Sequence, residues 1–158
     1  ACVYTVPYGQ VKYLYAASLI HEYKVTFGAM APSMLTYLKP YFPELDASAM
    51  RTTILTAEAC PGDLVDEWRK CAKNTSIYDF YGPTEATVYC SFYQLPHDKP
   101  SLTYNGVLSI GKPMANVDAI IIDEEGNELG NGQKGELNFI SFLKKDKNLK
   151  QEHSLLTI

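Results

Sequence analysis

The segment from Asp79 to Glu85 combines side chains that could bind a nucleotide. The ring of Tyr81 can stack on a planar base, and the hydroxyl of Thr84 can donate a hydrogen bond to a phosphate oxygen. Glu85 offers the kind of oxygen that Mg²⁺ prefers, because this ion binds proteins through few carboxylates together with phosphates. A second interpretation stays open at this point: the Gly and Pro of the segment could form only a turn that leads into a strand.

Helical patterns and β-prone runs alternate in the part of the chain that leads to this segment. The helical patterns cover residues 13–24, 32–40 and 61–73, and the β-prone runs cover residues 25–29, 52–56 and 76–80. This order predicts parallel strands with right-handed crossovers through flanking helices. Ligands of such sheets bind beyond the carboxyl ends of the strands, where the Thr56–Cys60 loop and the Asp79–Glu85 segment both fall.

The pattern changes after about residue 86. Three β-prone runs, at residues 87–93, 117–123 and 135–140, follow one another without a helical pattern between them, and residues 123–128 have the composition of a hairpin turn. The predicted fold class is therefore α/β, a parallel sheet with flanking helices followed by a smaller antiparallel, β-barrel-like portion. The predicted division is an α/β portion at residues 1–95, an antiparallel portion at 96–141 and a divergent tail at 142–158.

Composition and charge exclude several classes of protein. The 158 residues carry a formal net charge of −4, whereas a chain that binds nucleic acid usually has a basic face. No run approaches about 18 uninterrupted apolar residues, so no membrane-spanning helix is expected. The four cysteines have neither C-x-x-C spacing nor a metal-like spacing with histidine, which is typical of reduced thiols in a cytoplasmic protein.

Several ordered segments resemble one family of enzymes. Residues 78–88 contain the string Y-G-P-T-E, residues 56–59 (T-A-E-A) look like a G-G-E-A loop, and residues 110–116 (I-G-K-P-M-A-N) look like I-G-x-P-x-x-N. Residues 135–137 look like the start of G-E-L-x-x-x-G, after a typical hairpin at residues 123–129. Over residues 20–141 the chain therefore resembles the adenylate-forming, AMP-binding superfamily, which includes the adenylation domains of non-ribosomal peptide synthetases and the D-alanine–carrier protein ligases.

The resemblance implies a ligase that uses ATP and Mg²⁺. Members of this family activate a carboxylic acid as an acyl-adenylate, release pyrophosphate, and then transfer the acyl group to the thiol of carrier-protein phosphopantetheine or of CoA. The alternative is a non-catalytic α/β binding or scaffold module that keeps the fold with only a partial nucleotide site. In either case, exposed sheet edges would favour self-association.

The resemblance also implies which residues form the nucleotide site. It assigns nucleotide contacts to Ala57, Glu58, Ala59, Asp79, Phe80, Tyr81, Gly82 and Thr84. Tyr81 would stack on adenine, and Asp79 would lie near the adenine amino group. Thr84 and Glu85 would be the catalytic residues, with Thr84 at a phosphate and Glu85 as the ligand of Mg²⁺.

The acid pocket is a further implication of the resemblance. The residues that would line it are Ala29, Ile54, Thr56, Phe80 and Val88. Phe80 stands where the family more often has a small residue. We expect its ring to shorten the pocket and to favour a small amino acid; the alternative is that the ring turns away and only packs.

Parts of the family pattern fall outside the matched segment. The glycine-rich phosphate loop would precede residue 1, and the ribose-binding Asp of a T-G-D motif and a late Lys would follow residue 141. We therefore expect no adenylation by this chain alone, because the reaction relies on positioning and charge stabilisation. Ala57 replaces a common Gly, and Ser141 stands where Gly is expected.

The last 17 residues form a compositional outlier. Residues 142–158 hold four lysines and two acidic residues and resemble nothing in the family. We interpret them as a frameshifted, truncated or artificially bounded tail. The alternative is an unusual but genuine sequence.

Overall fold

The computed structural model describes residues 2–141 and the backbone of residues 154–156. The helices are α1 (Lys12–His21), α2 (Pro32–Leu38) and α3 (Gly62–Cys71), with 3₁₀ turns at Lys39–Tyr41 and Thr84–Ala86. The strands are β1 (Phe27–Met30), β2 (Thr52–Thr56), β3 (Ser76–Tyr81), β4 (Ser91–Gln94), β5 (Thr103–Tyr104), β6 (Val107–Leu108), β7 (Lys112–Pro113), β8 (Val117–Ile122), β9 (Glu136–Ser141) and β10 (Ser154–Leu156). The prediction of an α/β fold, with parallel strands followed by antiparallel ones, is confirmed.

These elements belong to two compact units, each discontinuous along the chain. Of the described residues, the first unit contains those up to Phe80 together with Tyr93–Ile110, and the second contains Tyr81–Phe92 together with those from Gly111 onward. The largest sheet has the strand order β1-β2-β3-β4-β7. The division into portions at residues 1–95, 96–141 and 142–158 stays a prediction.

The core of the first unit packs helix α3 on one face of the parallel strands. Alternate residues of β2 and β3 are buried, including Leu55 and Ile77, and α3 buries Val65 and Trp68. The Trp68 indole N–H donates a hydrogen bond of 3.2 Å to the Thr53 hydroxyl. Each large apolar side chain that is fully buried contributes roughly 1.5–3 kcal/mol, so this packing fixes the strands that carry the candidate site.

Prolines mark the start of two helices. Pro32 lies in the first turn of α2, and Pro61 is the N-cap residue of α3. A proline is favourable there because its missing N–H would have had no helical partner. Helix α3 carries Asp63 in its first turn and Arg69 and Lys70 in its last turn, which is the order that the helix dipole favours.

Antiparallel pairing dominates the described strands of the second unit. β8 and β9 pair along their length. After β8, the Asp123 carboxylate accepts hydrogen bonds from the backbone N–H groups of Glu125 (3.0 Å) and Asn127 (2.7 Å). The turn predicted at residues 123–128 is thereby confirmed. The hydrogen bond from the Asn127 side chain, followed by these backbone bonds, lowers the pKa of Asp123.

The strand predicted at residues 87–93 is wrong over its first half. Thr87 and Val88 have φ angles of 60° and 80°, in the left-handed region, and β4 begins only after them. The Cys90 N–H donates a hydrogen bond of 2.9 Å to the Tyr81 carbonyl, which closes the intervening residues into a loop. This contact overrides the β propensity of the branched side chains.

A hairpin that was not predicted, β5–β6, lies between β4 and β7. It turns at Asn105 and Gly106, whose φ angles of 49° and 79° fit a two-residue hairpin turn. The Leu108 N–H donates to the Cys60 carbonyl and the Gly62 N–H donates to the Gly106 carbonyl, both at 2.9 Å. The hairpin therefore fixes the chain where the loop after β2 enters α3.

The interpretation of residues 142–158 as a foreign tail falls almost wholly outside the described residues. Among the helices that the structure does describe, none has the length and apolar character needed to cross a membrane.

Candidate functional site

Four of the five predicted acid-pocket residues lie on the same face of the parallel strands. The register aligns Ala29 with Ile54, and Thr56 with Phe80. Aligned residues of neighbouring strands point to the same face, and so do residues two apart on one strand. This is the face opposite the core, and on it Ala29 is exposed while the other three residues are half-buried. The register thus brings the first-unit part of the predicted pocket together.

Tyr78 completes this open face, although the sequence interpretation did not include it. It is aligned with Ile54 across the strands, and its ring meets the ring of Phe80 edge-on, with centroids 6.1 Å apart and an interplanar angle of 80°. The contact holds the Phe80 ring in place as well as filling space. The signal that could have found Tyr78 is its spacing of two residues from Phe80 on a β-prone run.

Asp79 lies on the opposite, buried face of β3. Its exposed fraction is 5%, and desolvation raises its pKa to about 6. Burial, reinforced by the charges of Asp79 and Asp63, raises the pKa of the Cys60 thiol to about 12, so this thiol is neutral at physiological pH. A carboxylate that loses its charge near pH 6 at the end of a parallel strand is the kind of group found at functional sites.

The loop that follows β2 contains Ala57, Glu58 and Ala59, all exposed. Ala57 has a φ angle of 74°, so the family's common Gly has been replaced where the backbone is left-handed. The Glu58 carboxylate accepts two hydrogen bonds from Ser33 at the start of α2, one from its backbone N–H (2.9 Å) and one from its hydroxyl (2.8 Å). Because both oxygens of the Glu58 carboxylate accept bonds from Ser33, the nucleotide contact predicted for this loop would be made by its backbone.

Replacing Ala57 with glycine is expected to stabilise the chain by about 1 kcal/mol. A left-handed residue with a Cβ costs roughly 1–2 kcal/mol, part of which is offset by the greater freedom of Gly in the unfolded state. Urea denaturation measures the change. Ala59→Gly is the control, since Ala59 is not among the residues with positive φ and should lose stability instead. A loss of stability in both variants would contradict the assignment of strain to Ala57.

The second unit contains the rest of the predicted nucleotide segment. Gly82 follows Tyr81 at the end of β3, and Thr84 and Glu85 lie exposed on a 3₁₀ turn. Val88, the fifth predicted pocket residue, is 57% exposed and has a strained backbone. Strain of this kind in a branched residue is unusual and often accompanies a functional loop.

Tyr81 presents a ring with one buried end. The centroid of its ring lies 5.9 Å from the centroid of the Phe139 ring. Its hydroxyl is buried and has no hydrogen-bond partner in the part of the chain that the structure describes. Desolvation by burial, followed by the electrostatic interaction with Cys90, raises the pKa of the Tyr81 hydroxyl. Whether the other ring face receives adenine stays a prediction.

Glu85 meets the basic requirement for a Mg²⁺ ligand, because it is an exposed carboxylate on the same turn as Thr84. Within residues 2–141 and 154–156, no group of three or more His, Cys, Asp or Glu side chains could hold a metal ion by itself. A cation at Glu85 would therefore depend on phosphate oxygens for most of its ligands, which is the usual arrangement of Mg²⁺ at nucleotides.

The fold and these segments correspond to a known family. The sequence model described as AMP-binding enzyme matches residues 1–141. The chain therefore belongs to the AMP-binding enzyme family, a family of acid-activating ligases, and the resemblance inferred from the ordered segments is confirmed.

Two curated relatives illustrate the match. The chain is 32% identical over 132 residues to the dapdiamide synthesis protein DdaD of Enterobacter agglomerans, covering 83% of this chain and 20% of that protein. It is 31% identical over 121 residues to tyrocidine synthase 2 of Brevibacillus parabrevis, covering 77% of this chain and 3% of that protein. The chain thus spans a fifth or less of the length of these relatives.

Solved structures share the fold. The non-ribosomal peptide synthetase FmoA3 in an AMPPNP-bound form superposes with a TM-score of 0.75 at 24% identity, over 87% of this chain and 15% of that chain. The anthranilate CoA ligase AuaEII in complex with anthranoyl-AMP gives a TM-score of 0.68 at 24% identity, over 82% of this chain and 24% of that chain.

Proposed function

We propose that this chain is the middle part of a ligase that activates a small amino acid as its acyl-adenylate. The observation that carries the proposal is the open sheet face of the first unit, where Ala29, Ile54, Thr56 and Phe80 lie together. The nucleotide motif, Tyr81–Glu85, follows Phe80 directly in the chain. Phe80, which would close the acid pocket, therefore precedes Tyr81, whose ring would stack on adenine. Membership in the AMP-binding family supports this pairing of acid and nucleotide.

Each residue of the motif has a chemical role in this proposal. Tyr81 stacks on the base, and the backbone of Ala57–Ala59 borders it. The Thr84 hydroxyl donates to a phosphate oxygen, and Glu85 holds Mg²⁺. MgATP, when bound, would supply the α-phosphate that the carboxylate of the acid attacks, with pyrophosphate as the leaving group. The chain contributes orientation of the two reactants and a ligand for the Mg²⁺ that would neutralise phosphate charge, and such a reaction depends on positioning and on charge stabilisation.

The acceptor of the acyl group in the proposal is a thiol, either carrier-protein phosphopantetheine or CoA. A fold shared with the non-ribosomal peptide synthetase FmoA3 supports the first acceptor, and a fold shared with an anthranilate CoA ligase supports the second. The free thiols of the four cysteines support a cytoplasmic location.

The test is a nuclear magnetic resonance titration of the ¹⁵N-labelled chain with AMP and with MgATP. We expect shifts at the amides of residues 57–59, 81, 82, 84 and 85, with ligand added to about 10 mM because a partial site binds weakly. In Glu85→Gln, the AMP shifts should persist and the additional effect of Mg²⁺ on ATP binding should be lost. Shifts confined to other residues, or none, would favour the non-catalytic scaffold. Acyl-adenylate formation by this chain alone would contradict the expected inactivity.

Phe80→Ala is expected to broaden acid selectivity. The substitution is made in a ligase that contains this chain, or in a chimera in which residues 20–141 replace the matching segment of a relative. Removing the ring should raise the ratio of kcat/KM for larger over smaller amino acids by roughly tenfold or more. Tyr78→Phe is the control, because it keeps both rings of the edge-on pair. Unchanged selectivity in Phe80→Ala would show that the ring only packs.

A further inference from the structure

The start of α2 is completed by a residue from a distant loop. The N-cap residue of α2, Ala31, has no side-chain oxygen and makes no capping hydrogen bond. The N–H groups of the first helical turn have no partner within a helix, and a side-chain oxygen normally accepts from one of them. Here the acceptor is the Glu58 carboxylate, 25 residues away in sequence. It accepts one hydrogen bond from the Ser33 N–H and another from the Ser33 hydroxyl.

This contact holds the middle of the loop that the resemblance assigns to the nucleotide. The loop begins at Ala57, whose left-handed φ of 74° is unfavourable for alanine. It ends at Cys60, whose carbonyl accepts a hydrogen bond of 2.9 Å from Leu108. Between these points, the pair of bonds to Glu58 ties the loop to a helix, and hydrogen bonds to a charged acceptor are stronger than neutral ones.

We propose that Glu58 is a positioning residue, whose carboxylate fastens the Ala57–Ala59 loop to Ser33 and so holds the loop backbone in the shape that borders the nucleotide. This inference rests on the proposed function. The same contact joins the nucleotide loop to the β1–α2 connection, and β1 carries Ala29 of the acid pocket. Glu58 thereby links the two halves of the proposed substrate site within the first unit.

The experiment compares the full chain with Glu58→Gln, Ser33→Ala, the double variant and Ser33→Thr. The first readout is amide exchange at Ser33, which Glu58→Gln should accelerate roughly tenfold because a hydrogen bond to a charged group is weakened. The second is the ¹⁵N order parameter of Ala57, Glu58 and Ala59, which should fall. The third is AMP affinity, which should also fall roughly tenfold. Glu44→Gln, which alters an exposed carboxylate of the same unit, is the control.

The outcomes separate this inference from the proposed function. Loop loosening and lost AMP affinity in Glu58→Gln, together with unchanged loop order and unchanged AMP affinity in Ser33→Thr, would support the positioning role. Purely additive effects of Glu58→Gln and Ser33→Ala would overturn the bond from the Ser33 hydroxyl, and unchanged amide exchange at Ser33 in Glu58→Gln would overturn the bond from its backbone N–H. Loosening without a change in AMP affinity would overturn the positioning role while the proposed function stands. Failure of the unsubstituted chain to bind AMP would overturn the proposed function and the positioning role with it, even where exchange at Ser33 demonstrates the contact.

Discussion

Replacing Gly82 with alanine is expected to lower the free energy of unfolding by about 3 kcal/mol or more. A Cβ at this position would lie 2.5 Å from the carbonyl oxygen of Val88, 2.6 Å from the Cα of Tyr89 and 2.8 Å from the nitrogen of Cys90. All three neighbours are backbone atoms, so no side chain can rotate to relieve the overlap. The loop would have to move, which would break the hydrogen bond from Cys90 to the Tyr81 carbonyl.

Urea denaturation followed by circular dichroism measures the loss of stability, and amide exchange at Cys90 reports on the loop itself. The matched control is Gly132→Ala in the same unit. Gly132 has a φ of 85°, but a Cβ there meets no atom within 4 Å, so only about 1 kcal/mol of backbone strain is expected. Equal losses in the two variants would contradict the close approach at Gly82.

The motif therefore combines a structural glycine with residues assigned to the nucleotide. Gly82 allows the chain to return against the end of β3, and this return places Thr84 and Glu85 on an exposed turn. A glycine in such a string has two explanations, close approach of a ligand or close approach of the chain itself. At Gly82 the second explanation applies, because backbone atoms of Val88, Tyr89 and Cys90 already occupy the space that a Cβ would need.

Much of the first unit was predictable because each element has a local cause. The strand predicted at residues 52–56 matches β2 (Thr52–Thr56), and the apolar spacing of α3 predicted the stripe that buries Val65 and Trp68. The alternation of strands and helices was sufficient to predict parallel pairing. These features depend on neighbours within a few residues, which a sequence pattern contains.

The features that escaped prediction arise from contacts between distant parts of the chain. No local pattern indicates that the Glu58 carboxylate reaches Ser33. Val88 has a side chain that favours strands, but the closing bond from Cys90 imposes a left-handed backbone. The β5–β6 hairpin is a different case, since its Asn105-Gly106 pair was a usable signal for a two-residue turn.

The candidate site was predictable only up to the register of its strands. Alternation along β2 places Ile54 and Thr56 on one face from sequence alone. Which residues of β3 face them depends on register, because a slip by one residue would present Asp79 instead of Phe80. The structure fixes that choice, and it adds Tyr78 to the open face.

Replacing Asp79 with asparagine is expected to stabilise the chain at neutral pH by roughly 3 kcal/mol and to change little below pH 4. Desolvation raises the pKa of Asp79 to about 6 in the folded state, against about 3.9 in an unfolded chain. The protonated folded state is therefore favoured below pH 4, and this stability is lost as the pH rises through 6. Asparagine cannot ionise, so Asp79→Asn should lack that loss.

Urea denaturation at pH 3.5, 5 and 7.5, followed by the fluorescence of the buried Trp68, measures the difference. The exposed Asp98 provides the control, because Asp98→Asn should keep the pH dependence of the unsubstituted chain. Equal pH slopes in the chain and in Asp79→Asn would mean that Asp79 is better solvated than its 5% exposure indicates. A steeper slope in the chain alone would show that β3 retains a carboxylate that weakens the fold near pH 7. Proteins keep such groups mainly where function requires them, so that result would strengthen the case for Asp79 at the adenine amino group.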